Sequence, residues 1–421
     1  MTANDTQEEQ RGKDRPQLDP KALERIGSAI DRVYERLLGD GSLGFKGHGE
    51  RMAFYHERGR RTARSWRRSK KCMFPECSDA TIKRSHSIPR SGPMVRLAED
   101  GHLLTPVFDK SQDDLSAKLV GVGEASTFPG YCPAHEAEFQ TFEQNGELAV
   151  ERDVWLQYFR IVCREIRERE EAVQHMDGLL RDHQELLSER GLELLKEELG
   201  GDFIRSKGLD GKSMSFQDFD PNYERLATSR DELSKAIGTY RKDYLDPLVK
   251  ALKSNIAPPL KFVWLRPDIE IPVALVGRAN FGVRVGEQTE DVVIWPQVWP
   301  KDGSTDLLIM CTDRDDRHLD EYVKLFTTSP LGVIAMVESW MVHGTDHWFL
   351  RPSTWTQLPP ARRSQILNDI LDETRNAGSE YQHSIFDSIR QQVVAQLEKA
   401  DPPPKGLNDY LIHERAKLAL A

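Results

Sequence analysis

Two short segments, CMFPEC at residues 72–77 and YCPAHE at residues 131–136, contain three of the five cysteines of the chain. A structural zinc ion takes four nitrogen or sulfur ligands, usually as two close pairs from separate parts of a chain. The first stretch offers a C-x4-C pair around Pro75, which suits a tight knuckle, and the second offers a C-x2-H pair at the start of a helical run. The predicted structural zinc ligands are Cys72, Cys77, Cys132 and His135. The alternative is two unrelated thiol regions and a surface histidine.

The other cysteines and the apolar segments set the expected compartment. Cys163 and Cys311 lack close Cys or His partners, so we expect them to be buried small side chains. Five cysteines, an odd number, do not form a disulfide framework, and paired metal ligands suit a reducing interior. The N-terminus has no apolar leader, and the most apolar stretch, GVIAMVESWMV, is broken by Glu338. We therefore expect a cytoplasmic protein without a membrane partner.

The run TIKRSHSIPRSGP, residues 81–93, lies between the two ligand pairs. The order of C-x4-C, an extended run ending in His-x-Ile-Pro, and a C-x2-H helix start resembles the zinc-stapled HNH nucleases, which have a treble-clef, ββα-metal fold. The resemblance covers about residues 72–143. The whole chain also resembles uncharacterised bacterial proteins with the same order of Cys, Ser-His and Cys-x-x-His.

The resemblance implies two catalytic residues. His86 matches the general base that deprotonates water for attack on a phosphodiester, and Glu136 matches a ligand of a catalytic Mg²⁺ or Mn²⁺. The chain departs from the pattern at Ser85, where an acid or histidine is usual, and no Asn follows in the 44 residues between His86 and Tyr131. The alternatives are a structural His86 that caps the zinc loop and a Glu136 that only favours the first turn of a helix.

Charge is distributed unevenly along the chain. The whole sequence has a net charge of −10, but Lys46 to Arg90 contain 13 basic and 4 acidic residues, a local +9 that leaves −19 elsewhere. Clustered arginines beside a zinc module are typical of a phosphate-binding arm for DNA or RNA. The alternative is docking on the chain's own acidic helix, for example at Glu168, Glu170 and Glu171. The predicted nucleic-acid-binding residues are Arg60, Arg61, Arg64, Arg67, Arg68, Lys70, Lys71, Lys83, Arg84 and Arg90.

Composition and periodicity divide the chain into five segments. These are a disordered tail (1–20), a helix and basic arm (21–71), an HNH-like zinc module (72–146), a helical hairpin (147–257), and an α+β C-terminal domain with a helical tail (258–421). The predicted class is α+β: an N-terminal treble-clef zinc module, a long antiparallel helical hairpin, and the C-terminal α+β domain with its helical tail. Six tryptophans between residues 264 and 355 are expected in its core.

Two functional hypotheses follow. The first is a zinc-binding, HNH-like nucleic-acid-binding protein, with metal-dependent endonuclease activity in genome defence as its finer form. The second is a non-catalytic, zinc-stabilised interaction protein, in which the helical hairpin forms a homodimer. The sequence leaves DNA and RNA equally open.

Overall fold

The structure, a computed structural model, describes residues 19–38, 44–109, 114–209, 213–217, 220–372, 376–400 and 407–419. The disordered tail predicted for residues 1–20 lies outside this part of the chain, apart from its last two residues. The chain forms two compact units. The first comprises Met1–Thr62 and Ala172–Lys235, and the second comprises Ala63–Glu171 and Ala236–Ala421.

Helices make up most of the described chain. They are α1 Pro20–Leu38, α2 His48–Trp66, α3 Pro133–Glu136, α4 Gln140–Glu143, α5 Glu151–Leu199, α6 Gly201–Ser206, α7 Pro221–Tyr240, α8 Asp246–Ser254, α9 Asp316–Phe326, α10 Pro330–His343, α11 Pro352–Thr356, α12 Pro360–Ile370, α13 Asp387–Glu398 and α14 Leu407–Ala419. Short helical turns also occur at Arg90–Met94, Val95–Leu97, Ala137–Phe139, Arg241–Leu245 and Asp313–Asp315.

The strands pair in antiparallel fashion. They are β1 Ser85–His86, β2 His102–Asp109, β3 Asp114–Gly121, β4 Thr127–Phe128, β5 Leu260–Leu265, β6 Val273–Val276, β7 Ala279–Val285, β8 Gln288–Lys301, β9 Ser304–Thr312 and β10 Trp348–Leu350. β1 and β4 form a two-stranded sheet, and the others form a larger sheet in the order β3-β2-β10-β6-β8-β9-β5, with β7 on the first half of β8.

The first unit has a small helical core. α1 places Ile26, Val33 and Leu37 on one buried stripe, as its 3.6-residue periodicity predicts, and this stripe shares a cluster with Leu187 of α5 and with Phe216. The side of α1 that carries this apolar stripe is therefore the side that is buried in this unit.

The hairpin is formed by α5 and the helices that follow it. Glu170 pairs with Arg241, while Asp177, seven residues further along α5, pairs with Arg230. Because residue numbers rise on one side as they fall on the other, these helices run antiparallel, as predicted. The α+β class, the long hairpin helix and the helical C-terminal tail are confirmed.

The large sheet draws strands from two of the predicted segments. β2 and β3 come from residues 72–146, and β2 pairs with β10 at Leu104 and Leu350. All strands of this sheet belong to the second unit. The division of the chain into five separate domains stays a prediction. Strands from two of these segments, residues 72–146 and 258–421, share one sheet.

The core of the C-terminal part is built around α10. Every residue from Leu331 to Val342 is buried except Gly332, and Trp340, Trp348 and Trp355 are buried in the same cluster. Trp295 and Trp299 are also buried, but in the other large cluster, which includes the first turns of α5. Trp264, which is 41% exposed on the edge strand β5, lies outside the predicted tryptophan core. Within the described ranges no single helix is long and apolar enough to cross a membrane. The consecutive helical segments Asp313–Phe326 and Pro330–His343 are long and apolar enough only when taken together, and they are bent by 120° relative to each other.

Candidate metal centre

The first ligand pair lies on a tight turn. Glu76 adopts a left-handed backbone conformation with φ of 63°, and the Cys77 N–H donates to the Phe74 carbonyl at 3.2 Å. The Cys72 N–H donates to the carbonyl of Asp79 at 2.9 Å, which closes the turn into a short two-stranded base. This geometry returns the chain on itself and turns both thiols of the pair toward one point.

The second ligand pair lies at the start of α3. Cys132 has an extended backbone and precedes Pro133, whose fixed φ favours the first position of a helix. The Met73 N–H donates to the Gly130 carbonyl at 2.9 Å, and the Ile82 N–H donates to the Tyr131 carbonyl at 2.7 Å. These backbone bonds join the two ligand-bearing loops directly.

The four predicted ligands come together. The Nδ1 atom of His135 lies 3.2 Å from the Sγ atom of Cys132 and 3.6 Å from that of Cys72, and the Sγ atoms of Cys77 and Cys132 are 3.9 Å apart. All four ligand atoms lie within 4.8 Å of one another. A tetrahedral zinc with ordinary bond lengths separates its ligands by about 3.5 to 3.8 Å. The donor set therefore fits zinc in composition and in geometry.

Neighbouring groups hold the ligands in place. The Phe74 ring stacks on the His135 imidazole, with centroids 4.1 Å apart and planes within 6°. The backbone N–H groups of Phe74 and Cys132 donate to the Cys72 Sγ atom at 3.5 and 3.4 Å. Such outer contacts orient metal ligands and stabilise thiolate charge. The Phe74 contact could not be predicted from the residue pattern, which places Phe74 only between the two cysteines.

The thiols differ in acidity. Burial raises the pKa of Cys72 to about 11, so this thiol keeps its proton unless a cation displaces it. Burial acts in the same direction on Cys132, but hydrogen bonds from the His135 backbone and from neighbouring groups outweigh it and lower the pKa of that thiol. Zinc bound at this centre would displace protons from the thiols, and its binding should therefore weaken as the pH falls.

His86 lies on β1, within the same module. The imidazole makes a hydrogen bond with the backbone of Val122, and its Nε2 atom is buried without a hydrogen-bond partner in the described chain. Burial, followed by the charges of Arg160, Arg90 and Arg84, lowers the pKa of His86 to about 4. The ring is therefore neutral at physiological pH. Its backbone partner could not be predicted from the sequence, because a backbone group leaves no signal in residue identity.

Glu136, the predicted ligand of a catalytic metal, has protein partners. Its side chain makes a hydrogen bond with Ser85, whose hydroxyl also accepts the Tyr131 N–H at 3.1 Å. Its Oε1 atom lies 3.7 Å from a terminal nitrogen of Arg160, a residue of α5 that is fully buried. Burial raises the pKa of Glu136, and the Arg160 charge opposes that rise.

These residues do not fit a divalent Mg²⁺ or Mn²⁺ ion. Such ions take several oxygen ligands in an open, partly hydrated site, and a serine hydroxyl is a poor substitute for a carboxylate. The buried guanidinium of Arg160 beside Glu136 places a fixed positive charge where a catalytic Mg²⁺ or Mn²⁺ would bind. Sequence reasoning missed Arg160 because it lies beyond residue 143 and reaches the module only through the fold.

The predicted nucleic-acid-binding residues divide into two groups. Arg60 and Arg61 pair with Glu57, Arg61 also pairs with Asp182, Lys70 pairs with Glu171, and Arg84 pairs with Glu124. The other six side chains are exposed and form no ion pair with any described residue. We call these six the basic surface: Arg64, Arg67, Arg68, Lys71, Lys83 and Arg90. The alternative interpretation of the arm, docking on the chain's own acidic helix, therefore applies to Lys70 and Arg61, which pair with Glu171 and Asp182 of α5.

No family model matches the chain, and no curated protein or solved structure matches it significantly. What the geometry supports is a candidate zinc centre of three cysteines and one histidine. Glu136 follows the ligand His135 directly and lies beside the buried Arg160, and His86 is on β1 of the same module. Six exposed basic side chains lie on or next to this module in the chain.

Proposed function

We propose that this chain is a zinc-stabilised, HNH-like protein that binds nucleic acid through the basic surface. The observation that carries the proposal is the set of six exposed cations, all on or next to the zinc module, that lack a carboxylate partner among the described residues. Arginine gives bidentate contacts to phosphate, and lysine adds point charge. The mutual repulsion of these cations is relieved when a polyanion binds and neutralises them.

The local backbone keeps these charges close together. Lys71 pairs with Ala80, and the Thr81 N–H donates to the Lys70 carbonyl at 2.8 Å, so the chain before and after the zinc knuckle runs side by side. Arg67 and Arg68 precede this ladder and Lys83 follows it, at the same end. Like charges on neighbouring strands repel each other, and phosphate groups would relieve that repulsion.

Endonuclease activity is the second candidate, and one observation favours it. His86 is neutral and its buried Nε2 atom has no hydrogen-bond partner in the described chain, so this atom is available to accept a proton, although a pKa of about 4 makes the imidazole a weak base. The Arg160 charge beside Glu136 opposes the binding of a catalytic metal. Metal-dependent cleavage, with a role in genome defence, therefore stays a hypothesis for experiment.

Fluorescence anisotropy with labelled duplex DNA, single-stranded DNA and RNA tests the binding proposal. We expect the triple variant Arg67→Gln, Arg68→Gln, Lys83→Gln to bind at least about tenfold more weakly than the wild type, because each lost cation removes phosphate contacts. The matched control is Arg32→Gln, Arg36→Gln, Arg415→Gln, which removes the same charge from exposed, ion-paired positions. It should bind like the wild type.

Two results would count against binding by the basic surface: no saturable binding by the wild type, or equal losses in both triple variants. Without nucleic-acid binding, the zinc-stabilised interaction protein becomes the better hypothesis, and a concentration-dependent dimer would support it. Cleavage that needs Mg²⁺ or Mn²⁺ and is lost in His86→Ala, with zinc content unchanged, would establish the nuclease. Cleavage retained by His86→Ala would point to a contaminating enzyme.

A further inference from the structure

One buried guanidinium connects the acidic side chains beside the zinc centre. The Nη1 group of Arg160 donates to the Glu143 Oε1 atom at 2.7 Å, and Nη2 lies 3.7 Å from the Glu136 Oε1 atom. Carboxylate oxygens are among the ligands that divalent cations such as Mn²⁺ take.

We propose that Arg160 is a built-in counter-ion that occupies the position between Glu136 and Glu143 and excludes a divalent cation from it. The inference rests on the proposed function of the same module, because it implies that the module binds nucleic acid without metal-dependent cleavage. Its basis is the placement of three charged side chains from α3, α4 and α5.

The guanidinium is fixed in this position. Arg160 has no solvent-exposed surface, and its guanidinium carbon lies 3.9 Å from the centre of the Phe139 ring and 5.6 Å from that of Phe142. Stacking on aromatic faces stabilises a cation and restricts its motion. A divalent ion approaching Glu136 would therefore meet a positive charge that cannot move into solvent, in a region of low dielectric constant.

The charge balance supports a counter-ion role for Arg160. Glu136 and Glu143 carry two negative charges when ionised, and Arg160 lies beside both carboxylates. The Nε and Nη2 groups of Arg160 and the Oε2 atom of Glu136 have no hydrogen-bond partners in the described chain. A side chain placed only for packing would more often satisfy these groups. Removing the guanidinium leaves two facing carboxylates, an arrangement that attracts a divalent ion.

Binding of Mn²⁺, followed by electron paramagnetic resonance on the full, zinc-loaded chain without nucleic acid, tests the proposal. We expect the wild type and Glu136→Gln to retain equally little Mn²⁺. Arg160→Gln should gain about one site per chain with an affinity at least about tenfold higher, and the double variant Arg160→Gln, Glu136→Gln should lose it. The matched control is Arg152→Gln, an arginine of the same helix that bonds to a backbone carbonyl instead.

Several outcomes would overturn the proposal. A wild-type Mn²⁺ site that disappears in Glu136→Gln would show that the position is open to metal, and a folded Arg160→Gln without new Mn²⁺ binding would show that Arg160 does not exclude it. Zinc content and circular dichroism report folding. If Arg160→Gln does not fold, the comparison of wild type with Glu136→Gln decides alone, with equal Mn²⁺ retention supporting the proposal. Because the assay contains no nucleic acid, its result is independent of whether the basic surface binds DNA or RNA.

Discussion

Cys72 and Cys163 are both buried thiols in the second unit, but only Cys72 lies among other metal-ligand atoms. We expect Cys72→Ser to reduce the zinc content from about one per chain to a small fraction, because a serine hydroxyl replaces one of four required ligands. Zinc analysis of the purified chain measures this. The melting temperature should fall by several degrees, because metal-binding energy contributes to folding energy at such sites.

Cys163→Ser is the control for that substitution. It changes a buried thiol without removing a ligand, so zinc content should stay near one per chain. Equal zinc content in wild type and Cys72→Ser would disprove the metal centre, and equal losses in both variants would mean that zinc is lost through general misfolding.

His86 should make the stability of the protein depend on pH. Its pKa of about 4 in the folded state lies below the ordinary value of 6.5, so between these values the unfolded chain binds a proton that the folded chain does not. The neutral imidazole therefore contributes fully to the free energy of unfolding above about pH 6.5, and this contribution is lost as the pH falls toward 4. From pH 7 to pH 5 the loss is on the order of 2 kcal/mol.

Urea unfolding of the wild type and of His86→Gln at pH 7 and pH 5 measures this contribution. The free energy of unfolding should fall by less in His86→Gln, since glutamine has no proton to bind. Both proteins keep the same zinc ligands, so acid loss of zinc affects them alike. Identical pH dependence in the two proteins would contradict a buried, neutral His86.

At the scale of elements, two glycines of the helical hairpin face different surroundings. A Cβ atom at Gly191 of α5 would lie 2.6 Å from the Phe216 ring, whereas one at Gly238 of α7 would meet nothing within 4 Å. We expect Gly238→Ala to stabilise the protein by about 0.5 to 1 kcal/mol through helix propensity. Gly191→Ala should destabilise it by about 1 to 3 kcal/mol, because the Phe216 side chain must move. Denaturant unfolding distinguishes them, and equal effects would contradict the described packing of Phe216 on α5.

The helical tail is attached through buried charges. Arg390 of α13 is fully buried and pairs with Glu338 of α10 at 2.5 Å and with Glu414 of α14 at 2.6 Å. Arg390→Ala leaves two buried carboxylates without this partner and should cost about 3 to 5 kcal/mol of stability. Exposed Arg415, which pairs with Glu398, is the control, and Arg415→Ala should cost about 1 kcal/mol or less. Similar losses in both variants would argue against a buried network.

The elements that sequence patterns predicted are those whose signal is local. α1, α5 and α7 carry apolar positions at helical spacing, and the zinc ligands occur in two short pairs, so both could be found without a structure. The pairing of Leu104 with Leu350 could not, because strand partners far apart in the chain leave no periodic mark. Arg160 was missed for the same reason: its role depends on the packing of α5 against the residues that follow Cys132.

At the scale of the whole molecule, the ion pairs change the meaning of the net charge. Three carboxylates from outside Lys46–Arg90, those of Asp182, Glu171 and Glu124, pair with Arg61, Lys70 and Arg84, so they offset about a third of the local +9. The six residues of the basic surface are not neutralised in this way among the described residues, and they are concentrated on or beside one zinc-stapled segment. A chain with a net charge of −10 thus carries exposed cations on and beside one segment, and the negative charge of the rest of the chain opposes the approach of a polyanion.

This arrangement predicts how binding depends on salt. Each phosphate that the protein neutralises contributes about −0.9 to the slope of log K against log salt concentration for duplex DNA, so the six residues set a limit of about −5. The triple variant Arg67→Gln, Arg68→Gln, Lys83→Gln should have a slope smaller in magnitude by about 2 to 3. Anisotropy titrations from 50 to 300 mM salt, about the range in which counterion release dominates, measure both slopes. The control Arg32→Gln, Arg36→Gln, Arg415→Gln should keep the wild-type slope, because its arginines are already paired with carboxylates. If the triple variant lost affinity but kept the wild-type slope, those three side chains would act by shaping the fold rather than by contacting phosphate.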